Sequence, residues 1–337
     1  MWIGLLIVAF AIVLAFANGA NDNSKGVATL IGSGLMPERK AVLYAGAATL
    51  LGSAAAVWLG EELAHKFTGK GIVDTVTLGS TLFPLCMGVA AGLTVLLATR
   101  IGMPISTTHS MVGAIIGIGL AGGGLHWSAV WSKFFYPLLA APLLAVASAA
   151  AFYGIARWFR IRTGITEGTC LCVGRAMQPV AVRSDGTLYF AGSGITLTLD
   201  EQQNCIRRYA GEIFGINAQT AIDRLHLLSA GAISFARGLN DTPKIAALMI
   251  GLSFLTDSRA VILTGVGILA GGILMVRRVS QTMSARITSM NDGQAFSANL
   301  TTARGHPRMI GSILLAWVTT LPVAAVIGAV CWTVFTR

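Results

Sequence analysis

The first charged residue of this chain is Asp22, and the stretch before it, Met1–Asn21, is long enough to cross a bilayer. Uncharged runs recur at Ala41–Gly60, Leu78–Thr99, Ile101–Thr108, Met111–Leu125, Phe134–Ala156, Val261–Val276 and Met309–Thr336. Several reach the roughly 18–20 apolar residues that a transmembrane helix needs. Charged residues are only 11% of the 337, whereas a soluble domain carries about 25%. Such a chain cannot cover a water-facing surface. The expected fold is an all-α polytopic membrane protein.

The formal charge of +10 does not point to nucleic acid, because the basic residues sit in short segments between apolar runs, as the positive-inside rule requires. The five cysteines form no secreted disulfide framework, and Cys170-Leu-Cys172 reads as two ordinary thiols. Ala15-Phe16-Ala17 resembles a leader-peptidase site, but no basic segment precedes the apolar run. No Ser-His-Asp, metal or nucleotide motif occurs at a workable spacing, so no enzyme and no cofactor are expected.

The residues around that site return later in the chain. "FANGANDNSKGVA" at 16–28 aligns without gaps to "FARGLNDTPKIAA" at 235–247, an offset of 219 with seven of thirteen positions identical. Between the copies lies a polar stretch, 157–224, whose arginines place it on the cytoplasmic side. Within it, "TLYFAGSGITLTL" alternates like a small β-hairpin. Ahead of it, spans at 1–36, 41–60, 78–99, 104–120 and 134–156 make an odd number. The second copy is then expected to enter the membrane in the opposite sense. The expected organisation is a first transmembrane repeat (1–156), a cytoplasmic loop (157–224) and a second, inverted repeat (225–337). Inverted repeats with broken or re-entrant helices are the build of secondary transporters.

Two kinds of polar word lie at membrane depth. Asn21-Asp22 and its twin Asn240-Asp241 put a carboxylate in each copy, at about 2.5–3.5 kcal/mol apiece on insertion scales. A cation held by carboxylate, amide oxygen and backbone carbonyls would offset that cost. Gly19 and Gly238 are expected to let the helix break there, helped in the second copy by Pro243. Helix capping at an interface is the plainer reading. Lys25 and Lys244, three residues past each Asp, compete for the same carboxylates. The second word is "GMPISTTHSMVG" at 102–113. Gly102 and Pro104 break the helix, and Ser106, Thr107 and Thr108 open a new one, whose N-terminus suits an anion. The alternative is that these hydroxyls bond back to carbonyls one turn earlier. His109 is a candidate proton carrier, with a purely structural role as the alternative.

"GANDNSKGVATLIGSG", "PISTTHSMVGAIIGIG" and "SFARGLNDTPKIAALMI" resemble the signature segments of the inorganic phosphate transporter (PiT) family. The resemblance implies a symporter of the cytoplasmic (inner) membrane. Inorganic phosphate would be held by Ser106, Thr107 and Thr108, and a coupling cation, Na⁺ or H⁺, by Asn21, Asp22, Asn240 and Asp241. Any bound Na⁺ would sit at Asp22 and Asp241. Some relatives carry sulfate, a like tetrahedral oxyanion, and a homo-oligomer is compatible with all of this.

One departure stands out. The family's second Pro-x-Ser-Thr-Thr-His word is missing. Asp22 to Pro142 spans 120 residues, but Asp241 to Pro322, the positions matched at the far end, span only 81, a shortfall of 39. That is about two crossings, with the seam expected near "SANLTTARGHPRM". The second repeat is therefore expected to be shortened by two spans and to lack half of the anion cradle. Transport is expected to be weak or absent unless a partner subunit supplies the missing wall. A sulfate permease and a non-transporting membrane scaffold or regulator remain alternative readings.

Overall fold

The computed structural model describes residues 2–164, 169–182, 188–201, 214–277, 279–280 and 307–337. The expected seam falls largely outside them, as does Cys205.

The membrane-depth part is helical because a bilayer leaves the backbone no partner but itself. Helix α1 (Trp2–Asp22) gives way to a 3₁₀ turn, Asn23–Gly26, and a short α2 (Ala28–Gly32). Next come α3 (Glu38–Leu59), α4 (Glu61–Lys66), α5 (Thr75–Gly79), α6 (Leu82–Arg100), α7 (Thr107–Ala121) and α8 (Trp127–Val130). A π-helical turn, Trp131–Phe135, then leads into α9 (Tyr136–Thr163). After the central segment follow α10 (Ala218–Ala246), α11 (Asp257–Leu274) and α12 (Pro307–Thr336). Among the described residues five helices are long and apolar enough to cross a membrane: α1, α3, α6, α11 and the Val318–Thr336 part of α12. The chain is a multi-pass membrane protein. The expected span at 104–120 is instead the shorter helix α7, entered from a non-helical segment.

The membrane part is all-α as expected, and the central segment adds a three-stranded antiparallel sheet in the order β2-β1-β3. Strands β1 (Thr169–Val182), β2 (Leu188–Glu201) and β3 (Phe214–Asn217) contribute. The alternation of "LYFAGSGITLTL" is real, but it makes one long strand rather than both arms of a hairpin. Its partner is β1, paired from Thr169 opposite Glu201 to Val182 opposite Leu188.

The helices pack through reciprocal contacts. α1 lies on α11 and α6, α3 lies on α10, and α12 closes over α7 and α6. A methyl group on Gly19 would overlap the carbonyl oxygen of Ile268, and one on Gly271 that of Phe16. Add 219 to each first-half number, subtract it from each second-half number, and two further observed contacts appear. These are Gly238 on Thr49 and Gly52 on Phe235. Side chains obey the same exchange: Asn23 donates to the Gly272 carbonyl, and Thr242 shares a 2.7 Å hydrogen bond with Ser53. Contacts that swap in this way are what a two-fold relation between copies generates.

These glycines correct an expectation. α1 runs unbroken through Gly19 to Asp22, and α10 runs through Gly238 and past Pro243 to Ala246. The missing side chains serve close backbone approach between helices, as small residues do in membranes. The first copy breaks one turn beyond Gly19, at the 3₁₀ turn after Asp22.

Candidate functional site

Where α6 ends, the chain doubles back into the protein. Gly102 adopts φ 74°, a left-handed conformation that glycine reaches without a Cβ clash. Residues 103–106 then run outside any helix to α7, whose N-cap is the extended Ser106, its hydroxyl accepting from the His109 backbone N–H. The expected break and the new helix start are both present.

What holds this segment is Asn21. Its Nδ2 donates to Thr99 Oγ1 at 3.0 Å and to the Met103 carbonyl at 2.9 Å, and its Oδ1 accepts from the Ile105 N–H at 3.0 Å. The fully buried amide thus fastens α1 to both sides of the turn. Its twin Asn240 is exposed.

The two carboxylates meet at a single nitrogen. Asn18 Nδ2 lies 3.3 Å from Asp22 Oδ2, 3.4 Å from Asp241 Oδ2 and 2.8 Å from Thr107 Oγ1. Each acid also holds the lysine of its own copy, Asp22 with Lys25 and Asp241 with Lys244 at 3.2 Å. The lysines that competed for the carboxylates in the sequence occupy them here. Lys25 donates in addition to the Ile105 carbonyl, and Lys244 to Thr108 Oγ1 at 2.9 Å. Both lysines and both acids are nearly buried, where only paired charge is tolerated.

Sequence reasoning missed Asn18 and Arg237. The Arg237 guanidinium lies 3.6 Å from Asp22 Oδ2, which makes it the image of Asn18 reaching Asp241 under the 219 offset. The repeat alignment itself held the signal, a basic side chain one turn before Asp241 in an apolar helix.

The hydroxyls of Thr107 and Thr108 are polarised alike. Thr107 Oγ1 accepts from Asn18, and Thr108 Oγ1 accepts from the Lys244 ammonium. A hydroxyl that accepts from a nitrogen donor keeps its own proton to give. Neither threonine bonds back to a carbonyl one turn earlier, the alternative their sequence left open. Thr107 and Thr108 therefore meet the acid-lysine pairs at one corner, while the Ser106 hydroxyl caps the same helix. His109 lies partly buried on the first turn of α7. Among the described residues no cluster of histidine, cysteine and carboxylate groups forms a metal centre.

The sequence profile of the phosphate transporter family matches residues 18–305. The chain belongs to that family. Among phosphate transporter relatives, a Pyrococcus horikoshii protein named as a phosphate permease is 23% identical over 402 aligned positions. That alignment covers 99% of this chain and 97% of the relative. A Mycobacterium tuberculosis protein named as a low-affinity inorganic phosphate transporter is 26% identical, covering 96% of this chain and 76% of its own length. A Haemophilus influenzae phosphate permease is 25% identical, with coverages of 100% and 88%. The solved structure of a sodium-dependent phosphate transporter superposes with a TM-score of 0.71 at 20% identity. It covers 100% of this chain and 99% of its own, a likeness of fold. The Pyrococcus alignment has 402 positions against 337 residues here, so that relative carries segments without a counterpart in this chain.

Proposed function

We propose that the chain moves inorganic phosphate across the cytoplasmic membrane as a secondary symporter coupled to Na⁺ or H⁺. The observation that carries this reading is the pair of threonine hydroxyls, oriented as donors by Asn18 and Lys244 at a helix start. Phosphate presents only oxygens, and donors backed by a helix N-terminus match it. Ser106, Thr107 and Thr108 are its proposed ligands. Asp22 and Asp241 are the proposed cation positions, each now filled by a lysine that must swing aside for an ion to enter. Asn21 and Asn240 belong to the same reading through their carbonyl oxygens, although Asn21 already accepts one hydrogen bond. Family membership and the names of the relatives support phosphate, and the sodium-dependent structural neighbour favours Na⁺.

In this reading the two copies run in opposite senses through the membrane. Residues 1–156 and 225–337 form the repeats, and 157–224 lies in the cytoplasm. The swapped contacts fit a two-fold axis in the membrane plane, the symmetry of inverted repeats. Sulfate remains an alternative cargo, because hydroxyl donors do not tell one tetrahedral oxyanion from another.

A second reading has an observation of its own. The sequence contains Pro-x-Ser-Thr-Thr-His once, and Asn240, whose twin braces that word, has an exposed side chain. A repeat without its cradle favours a membrane protein that binds oxyanion yet moves it slowly or not at all. Uptake of radiolabelled phosphate into proteoliposomes, under imposed Na⁺ or proton gradients, separates the two. Gradient-driven accumulation supports the symporter. Binding without accumulation supports the non-transporting reading, and the absence of both removes the phosphate assignment.

A further inference from the structure

The charges at the centre do not balance. Lys25, Lys244 and Arg237 supply three positive groups, and Asp22 and Asp241 two negative ones. Among the described residues no third carboxylate lies within ion-pair distance of those cations. Asp22 carries two of them, while Asp241 carries one cation and a neutral amide. An unmatched positive charge in a nearly buried cluster is costly unless an anion completes it.

The excess traces to one position. Under the 219 offset the first copy places Asn18 against the opposite acid, and the second copy places Arg237 there. Asn18 spends its amide on both acids and on Thr107. Arg237 has a single carboxylate contact, and its side chain is 31% exposed against 8–13% for the other four charged groups. Part of a five-donor guanidinium therefore remains accessible beside Asp22. Lys244 reaches the threonine corner itself. It is bonded to Asp241 and Thr108 and lies over the Phe67 ring at 5.7 Å, so an aromatic face from the first half steadies it.

We propose that Arg237, with Lys244, forms the second wall of the oxyanion site, supplying by charge what the single Ser-Thr-Thr word supplies by hydroxyl donation on the other side. This rests on the oxyanion reading of the threonine corner and goes beyond it in naming the opposing ligands. Guanidinium recognises phosphate or sulfate through paired N–H donors, and an ammonium does so as a point charge. The anion would accept from the Arg237 guanidinium and the Lys244 ammonium on one side and from the Thr107 and Thr108 hydroxyls on the other, taking the place of the direct Lys244–Thr108 hydrogen bond.

The test is equilibrium binding of radiolabelled inorganic phosphate to the purified full chain in detergent, with sulfate as competitor. Arg237→Asn, which installs the residue found at the twin position, should weaken phosphate binding by about tenfold or more, as expected for one charge-assisted contact. Arg237→Lys keeps the charge but loses the paired donors, so its affinity should fall between those of wild type and Arg237→Asn. The double variant Asp22→Asn/Arg237→Asn removes a carboxylate together with its partner, so it keeps the wild-type excess of one positive charge but lacks the guanidinium, and it should still bind weakly. Wild-type affinity in Arg237→Asn, or recovery of affinity in the double variant, would reduce Arg237 to a counter-ion of Asp22 and overturn the proposal. In that event wild-type binding, and with it the threonine corner, stands. A wild-type chain that binds neither phosphate nor sulfate overturns the oxyanion reading itself.

Discussion

Removing the two central lysines one at a time should give unequal results, because the structure pairs their acids unequally. Lys244→Met leaves Asp241 with the Asn18 amide at 3.4 Å as its only direct partner among the described residues, where its side chain is 13% exposed. Removing one partner of a buried ion pair costs about 3–5 kcal/mol. Lys25→Met leaves Asp22 still facing Arg237 at 3.6 Å. At that separation two unit charges attract by about 4 kcal/mol at an effective dielectric constant of about 20, before desolvation is charged against it. Discounting for the partial exposure of Arg237, the net loss in Lys25→Met should be about 1–2 kcal/mol. The assay is equilibrium unfolding by SDS titration in mixed micelles, with choline as the only added cation and no phosphate. Lys244→Met/Asp241→Asn, which removes charge from both partners, should regain most of the loss. Replacing choline by Na⁺ should then stabilise Lys244→Met by about 1.4 kcal/mol for each tenfold excess over its dissociation constant, and stabilise the wild type less, because there the ion must first displace the lysine. Equal losses in the two single variants would refute the reasoning from Arg237. A sodium response as large in the wild type as in Lys244→Met would refute the claim that the lysine occupies the ion's place.

The close helix approaches predict that Gly19→Ala and Gly238→Ala each cost about 1–3 kcal/mol or more by the same titration. Gly79→Ala, with nothing within 4 Å of the new methyl, should be near neutral, and equal effects at all three positions would remove the packing argument. Cys86 on α6 and Cys331 on α12 are buried free thiols on helices that pack together. In a chain retaining only those two cysteines, oxidation should join the halves after cleavage in the central segment, and failure to crosslink would displace α12 from α6. Asp74 caps α5, and the hydroxyl and the backbone N–H of Thr77 hold its carboxyl below the usual range. A lowered pKa means the stabilisation is complete above the unfolded value near 3.9 and is lost as pH falls through the folded value. Thermal unfolding should show that acid loss in wild type and a smaller one in Asp74→Asn; identical profiles would mean the cap carries no charge dependence.

Much of the architecture could be read from the residues because a bilayer makes few demands and makes them everywhere. The apolar runs announced the spans, the 219 offset announced the duplication, and Gly102-Met103-Pro104 announced the turn before α7. The glycines were harder. A glycine ahead of Asn-Asp permits a helix break or a close helix approach, and only the carbonyls of Ile268 and Thr49, far away in sequence, decide for the second. The strand at Leu188–Glu201 was visible as alternation, but its partner, β1, carries no pattern that fixes which segment it pairs with. Asn21 illustrates the same limit within the site. The sequence offered it as an ion ligand, whereas its amide braces Thr99, Met103 and Ile105, and backbone carbonyls leave no mark in a sequence.

The asymmetry of the duplication bears most directly on how the centre works. Where the copies agree, at Gly, Asn-Asp and Lys, they build a two-fold frame with an acid-lysine pair on each side. Where they differ beside the acids, at Asn18 and Arg237, the difference acts on charge and on donors. Asn18 bridges both acids and orients Thr107, while Arg237 brings the third cation. A perfectly symmetric pair of copies would hold two acids and two lysines and carry no net charge. It would have no reason to draw an anion inward except through the hydroxyls of α7. One Asn-to-Arg difference at matched positions changes that sign. Phosphate affinity should therefore follow the residue at 237 more closely than the lysine at either acid, and Arg237→Asn should lower it further than Lys25→Met does.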